Sequence, residues 1–297
     1  MKKVLLVLCL VGFASQICKS QEWLTSLDAA QRLALIQDKM VLMVWEEATT
    51  YPYPVLVEDA SGRKVLVENL FEADYLNTWI WNHFVPVIVS ESDYAKLFED
   101  IDGKRKATYI NKFNDDSIKI MDINGNIVNT KPVYDEFLNL SAHIRKYYIN
   151  TAFLKGELLN YFNDKNFNTS FYLASKYIDA AIYLNKDVRS EVIELSSLYL
   201  QEANQFLSAE NLDNKNGLAQ KLELLSIYQD LVLNRPRKVL RQLNRIEPTE
   251  IDQSNEAMVA FLYLTAHRDL KDEKSASIWR SKVSLLNLKK AKDIITN

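Results

Sequence analysis

Lys39-Met-Val-Leu-Met-Val-Trp45-Glu-Glu-Ala-Thr-Thr-Tyr-Pro-Tyr-Pro54 decides how this chain is read. Val41, Leu42, Met43 and Val44 form a short uninterrupted apolar run. It is too short for a helix of ordinary length and ends in a Pro-containing loop. Those features predict a strand buried on both faces, at the centre of a sheet. Upstream, Trp23–Lys39 reads as an amphipathic helix. Leu27, Ala30, Leu33, Ala34 and Gln37 share one face, Thr25 or Ser26 is the cap, and Asp28 sits in the first turn where it suits the helix dipole.

Downstream, Pro54–Glu68 reads as strand, Ser61-Gly62 turn, strand, and so as a β-hairpin. Asn69–His83 reads as a helix carrying Leu70, Phe71, Leu76, Trp79 and Ile80. Phe84–Ser90 is a second buried strand, and Asp93–Ile101 a short helix. Tyr109–Phe113 leads into a strand over Ser117–Met121. Asp122-Ile-Asn-Gly-Asn126 is a tight turn, with Asn-Gly suited to the type I′ geometry of a two-residue hairpin. Ile127–Asn129 returns as an edge strand.

This block of helix, buried strand, Phe84-Val-Pro-Val strand and Asp122-Ile-Asn-Gly125 hairpin resembles the thioredoxin-like fold over about residues 21–150. The resemblance implies an α/β N-terminal domain, residues 21–132, with functional residues at the end of the first core strand. That family places a Cys-x-x-Cys pair in the loop occupied here by Thr49, Thr50, Tyr51 and Pro52. It places a substrate-presenting cis-proline where this chain has Asp116. Both redox features are replaced, so the resemblance implies the fold without the thiol chemistry. Catalytic, cofactor and metal residues are therefore expected to be absent. Thr49, Thr50, Tyr51, Pro52, Tyr53 and Asp116 become the candidate partner-binding residues, because the prolines hold the Tyr loop extended and aromatic side chains dominate interface energetics.

Pro132 marks a change of pattern. Val133–Asn150 is amphipathic, either a closing helix of the first domain or a bridge, and the rest is helical in period. Ala174-x3-Ile178-x2-Ala181 and Val239-x3-Leu243-x2-Ile246 share a spacing, and Ala276-x3-Arg280-x2-Val283 echoes it. The interval from Val239 to Ala276 is close to the usual tetratricopeptide period of about 34 residues. Residues 133–297 thus resemble a tetratricopeptide-like, all-α domain, although no Trp-x-x-Leu-Gly signature is present. An irregular helical bundle fits the same pattern.

At the N-terminus, Lys2 and Lys3 precede the apolar run Val4–Phe13, the pattern of an export signal. Residues 1–20 are assigned to it, with cleavage after Ser20 or after Ala14. The only two cysteines, Cys9 and Cys18, fall inside it. Neither has the small preceding residue of a lipidation site. The expected location is periplasmic or secreted, with no transmembrane helix once the signal is cleaved and no disulfide. Removing Lys2, Lys3 and Lys19 moves the net charge from −3 to −6. With that balance and no basic block, nucleic acid is not the expected partner.

Other polar groups have two readings each. Glu46 and Glu47 are an acid/base pair or a solvated rim. Asp115 and Asp116, with Asp122 and Asn124, hold a hard cation or serve turn chemistry. His83, His143 and His267 are too scattered for a zinc site. The expected function is binding of a protein or peptide, as an envelope assembly or folding factor. A thiol–disulfide oxidoreductase relative and a structural subunit of a larger envelope complex are the alternatives.

Overall fold

The computed structural model describes residues 22–132 and 136–297. The signal reading, its cysteines, and Val133 to Asp135 lie outside the described residues. The chain builds a small mixed α/β region first and a predominantly helical region after it.

Met40–Trp45 is β1, and it is central. Val41 to Val44 are fully buried, as a strand covered on both faces should be. Each such side chain contributes about 1.5–3 kcal/mol relative to exposure. Phe84–Val89 (β4) runs parallel to β1, with Met43 opposite Val87. Lys119–Met121 (β5) pairs antiparallel on the other side, with Met43 opposite Lys119. The order is β4-β1-β5.

The hairpin is present as Val55–Glu58 (β2) and Lys64–Val67 (β3), with Gly62 at φ +80 in its turn. It belongs to a second sheet, ordered β3-β2-β6. Leu138–Asn139 (β6) adds to it parallel to β2, a strand the sequence reading did not include. Leu140–Tyr147 follows as the helix α5, so the described part of the amphipathic segment is strand at Leu138–Asn139 and turns helical at Leu140.

The first helix, α1, is Leu27–Gln37 rather than Trp23–Lys39. Ser26 is the cap, accepting from the Ala29 N–H. Ala30 and Ala34 are its fully buried residues. Leu24 is extended instead, because its N–H donates to Pro86 O (3.1 Å) and its C=O accepts from Ile88 N (2.8 Å) at the β4 edge. The second helix, α2, is Asp74–His83, shorter than expected at its N-terminus. Asn69 Oδ1 accepts from Phe71 N and Tyr53 N, and Leu70 N donates to Tyr53 O. Residues 70–72 are thereby pinned as a 3₁₀ turn against the Tyr53 loop. Glu91–Ile101 is α3. Ala107–Asn114 is a full helix, α4, where only a lead-in was expected.

The Asp122–Asn126 turn is not type I′. Gly125 has φ +84, and Asn124 is not left-handed. Gly125 N donates to Asp122 O and Asp122 N to Asn126 O, while Asp122 Oδ1 accepts from the N–H groups of Asn124 and Asn126. This is a three-residue loop with glycine at its left-handed position. The returning segment lies beside β5, through a bridge between Met121 and Ile127 and a bond from Val128 N to Ile120 O (2.8 Å), but it is buried and does not form a full strand. Asn129 completes the β5 ladder with its side chain, accepting from Ile120 N (2.7 Å) and donating to Ile118 O (2.9 Å).

The helical region comprises Lys155–Asn163 (α6), Phe167–Tyr183 (α7), Lys186–Ala209 (α8), Lys215–Val232 (α9), Pro236–Leu243 (α10), Glu256–Asp269 (α11), Glu273–Trp279 (α12) and Leu285–Thr296 (α13). Ala174, Ile178 and Ala181 are fully buried on α7, and Val239 and Leu243 on α10. Ile246 lies past the end of α10, so the second echo is helical only at Val239 and Leu243, and Arg280 is exposed, so the third does not pack like the first. Buried apolar residues of both regions join in one continuous core. Among the described residues no helix is long and apolar enough to cross a membrane.

Candidate functional site

The C-terminal end of β1 opens into Glu46–Thr49, a 3₁₀ turn. Thr49 and Thr50 donate their hydroxyls to the carbonyls of Glu46 and Glu47, at 2.7 Å each. Both threonines are spent on holding the loop. Tyr51 follows at 74% exposure, and Pro52 is exposed beside it. Tyr53 is not a surface ring, contrary to expectation. It packs edge-on against Phe71 (5.8 Å), and Phe71 meets Trp23 in the same way.

The Tyr53 hydroxyl reaches the second predicted segment. Burial pushes its pKa up to about 12; the Ile118 N–H hydrogen-bonded to it works the other way, and the Asp115 and Asp116 carboxylates add to the rise. The structure therefore brings the Thr49–Tyr53 loop and the Asp116 turn together. Asp116 is exposed at that junction.

Two lysines that the sequence reading passed over lie beneath the turn. Asp115 accepts at Oδ1 from Ser117 N (3.0 Å), and its Oδ2 is 3.4 Å from Lys112 Nζ. Lys119 Nζ donates to the Asp115 carbonyl and lies 5.6 Å from the Tyr94 ring centre. Lys119 is fully buried, and burial lowers its pKa to about 8 against the opposing pull of Asp115. Tyr94 stacks on Trp45 at 5.2 Å and donates to the Phe113 carbonyl. Trp45 in turn donates to Glu91 Oε2. The signal that could have located Lys119 is its position between Ile118 and Ile120, inside a short apolar run.

The four-residue cation reading is not assembled. Asp122 is at the other end of β5 from Asp115, is fully buried, and is held by tyrosines. Tyr177 and Tyr199 donate their hydroxyls to its Oδ2. Desolvation pushes its carboxyl up to about 6, opposed by the Tyr199 hydroxyl and the Asn126 and Asn124 amides. Asn124 and Asn126 each donate to Tyr199 OH at 3.1 Å. Arg105 bridges Asn126 and Glu202. This end of β5 fastens the sheet region to α7 and α8. No cluster of three or more metal-ligating side chains occurs among the described residues.

Comparison with protein families, characterised proteins and solved structures returned no match. The site must therefore be read from its own geometry.

The remaining sequence candidates are apart from it. Glu46 and Glu47 are exposed on the 3₁₀ turn. His83 Nδ1 lies 2.8 Å from the Trp79 carbonyl. His267 faces Asp272 at 3.3 Å. His143 is buried on α5, where burial, with Lys112 and Lys146 nearby, drives its pKa down to about 3. Its Nε2 has no hydrogen-bond partner among the described residues.

Proposed function

We propose that this chain is an exported, non-catalytic protein of thioredoxin-like type that binds a polypeptide partner, with a tetratricopeptide-like helical region behind it. The observation that carries the reading is the meeting of the Thr49–Tyr53 loop and the Asp116 turn at the open end of β1. Tyr51, Pro52 and Asp116 face solvent there, on a base fixed by Tyr53, Phe71 and Ile118. An exposed aromatic on a rigid base loses little conformational freedom on binding, which favours it as an interface anchor. The neighbouring β3 edge supports an extended partner. Lys64, Val65 and Leu66 are exposed on an outer strand of the β3-β2-β6 sheet, where a chain can add main-chain hydrogen bonds.

Thiol–disulfide exchange needs a thiolate to attack a disulfide sulfur. The loop offers two threonines whose hydroxyls are engaged with its own carbonyls. Chain begun at Gln21 contains no cysteine, and is expected to reduce insulin no faster than background. Turnover by that preparation contradicts the non-catalytic reading. For the binding half, partners retained from an envelope fraction by the wild type should be lost with Tyr51→Ala and with Asp116→Arg. Undiminished retention by both contradicts the assignment of the surface.

A further inference from the structure

Ile278-Trp-Arg280-Ser-Lys282-Val-Ser-Leu285-Leu286-Asn-Leu-Lys289-Lys290-Ala-Lys292 carries five cations and no carboxylate. The overall charge of −3 conceals this concentration. The segment spans the end of α12, the 3₁₀ turn Arg280–Lys282 and most of α13. Its apolar side chains divide sharply. Val283 and Ala291 are buried and fix the inner face, while Leu285 is 85% exposed, Leu286 73% and Ile278 69%.

The segment is firmly held. Trp279 stacks on Tyr263 with ring centres 4.4 Å apart and planes within 2°. Lys290 clamps α13 to Asp179 on α7 at 2.8 Å. The other cations are uncommitted: Arg280, Lys282, Lys289 and Lys292 form no ion pair among the described residues. Lys282 Nζ lies 5.5 Å from the Trp279 ring centre. Leu285, Lys289 and Lys292 stand at i, i+4 and i+7, so aliphatic and cationic groups share one outward face of α13.

We propose that this tip docks on an anionic phospholipid surface. Ile278, Leu285 and Leu286 enter the boundary between headgroups and acyl chains, and Arg280, Lys282, Lys289 and Lys292 meet the lipid phosphates. Exposed aliphatic groups ringed by long cationic side chains match that interface chemically. A second copy is disfavoured by charge, because a face-to-face dimer sets like cations against each other. An acidic protein needs a groove to receive or offer apolar groups. Side chains 69–85% exposed stand out from the surface instead of lining a cleft.

The test is co-sedimentation with vesicles. The chain begun at Gln21, the form the export reading predicts, is used once it has given a single cooperative melt. Wild type should sediment with phosphatidylglycerol–phosphatidylcholine vesicles, release in high salt, and ignore pure phosphatidylcholine. Leu285→Ser with Leu286→Ser should weaken binding about 100-fold. Lys282→Gln with Lys289→Gln should weaken it about 30-fold. All four side chains are exposed, so both double variants should keep the wild-type melting curve. Tyr172→Ser, at another exposed ring, should bind as wild type does. Absence of wild-type sedimentation, equal binding to the zwitterionic vesicles, or unchanged binding by either double variant overturns the proposal. So does loss of binding by the Tyr172 variant. A concentration-dependent dimer, or capture by polyglutamate, without vesicle uptake would also overturn it and give the tip to those partners.

Discussion

The two ends of β5 carry acidic residues of the same type and put them to opposite uses. At its start, Asp115 is 44% exposed at its side chain and is surrounded by Lys112, Lys119 and the Ser117 turn. At its end, Asp122 is fully buried and is held by hydroxyls and backbone N–H groups, with no ion pair among the described residues. The first end stays open to solvent through Asp116 and Tyr51. The second is sealed under α7 and α8. A carboxylate exposed beside lysines can change partners at little cost. One buried among tyrosines resists change, because each hydroxyl left without an acceptor loses its hydrogen bond in a site closed to bulk solvent. The contrast separates the surface proposed for a partner from the joint that holds the two regions together.

Substitutions at the two ends should therefore differ sharply in consequence. Val41→Asp, between the ends in β1, sets the upper limit. An unpaired charge there should cost about 5 kcal/mol or more and abolish cooperative melting. A wild-type melt would show that β1 is not the common support of both ends. Asp122→Ala strands two tyrosine hydroxyls and two backbone N–H groups, and should cost about 3–5 kcal/mol in urea unfolding. Asp116→Ala should leave the midpoint unchanged. Equal losses for the two would erase the distinction.

Acid titration sharpens the comparison through His143 and Asp122, whose shifts have opposite signs. The His143 pKa is lowered from its ordinary 6.5 to about 3. The unfolded chain then binds the extra proton first, and stability is lost as pH falls from 6.5 towards 3. The Asp122 pKa is raised from 3.8 to about 6, so its contribution rises as pH falls through that interval. The histidine shift is larger and should dominate. His143→Phe should lose less stability than wild type between pH 6.5 and 4, by a few kcal/mol. Parallel pH profiles for the two proteins would contradict this. Lys119 gives a smaller effect. Its pKa is lowered to about 8, so stability should climb as pH rises from 8 towards 10.5. Lys119→Met should gain about 1–2 kcal/mol at pH 7 and lose that climb. A destabilised variant would mean that the Asp115 contact outweighs the cost of burying the ammonium.

Local pattern made the sheet region readable, and distant contacts made the rest unreadable. The runs Val41–Val44 and Phe84–Val89 announced buried strands, because apolar continuity is a local signal. The Ser61-Gly62 hairpin was equally plain. The fate of Asp122 was not, since its partners Tyr177 and Tyr199 lie 55 and 77 residues away on helices. Its turn chemistry alone carried no sign of burial. Residues 70–72 departed from the helix expected there because Asn69 and Leu70 bond back to Tyr53, a tertiary contact that overrides helical period. Asn129 hid in the same way, taking the place of a strand with its side chain. At the candidate site, the Thr49–Tyr53 loop and Asp116 were picked out together only through the resemblance to the thioredoxin-like fold. The division of labour between the loop's two tyrosines was not picked out at all. Tyr51 and Tyr53 are two residues apart, the same-face spacing of an extended segment, so pattern does not separate them, and only the position of Phe71 decides which of them is buried.

The central claim is that the Tyr51 end of the sheet region is where a polypeptide partner sits. Site-specific photo-cross-linking tests it directly. Benzoylphenylalanine is placed at position 51, and separately at position 172, another exposed ring, on α7. Both proteins are irradiated in the intact cell envelope. A discrete cross-linked species from position 51, absent from position 172, is the expected result. Cross-linking from position 172 with none from position 51 would contradict the account and move the partner surface to the helices.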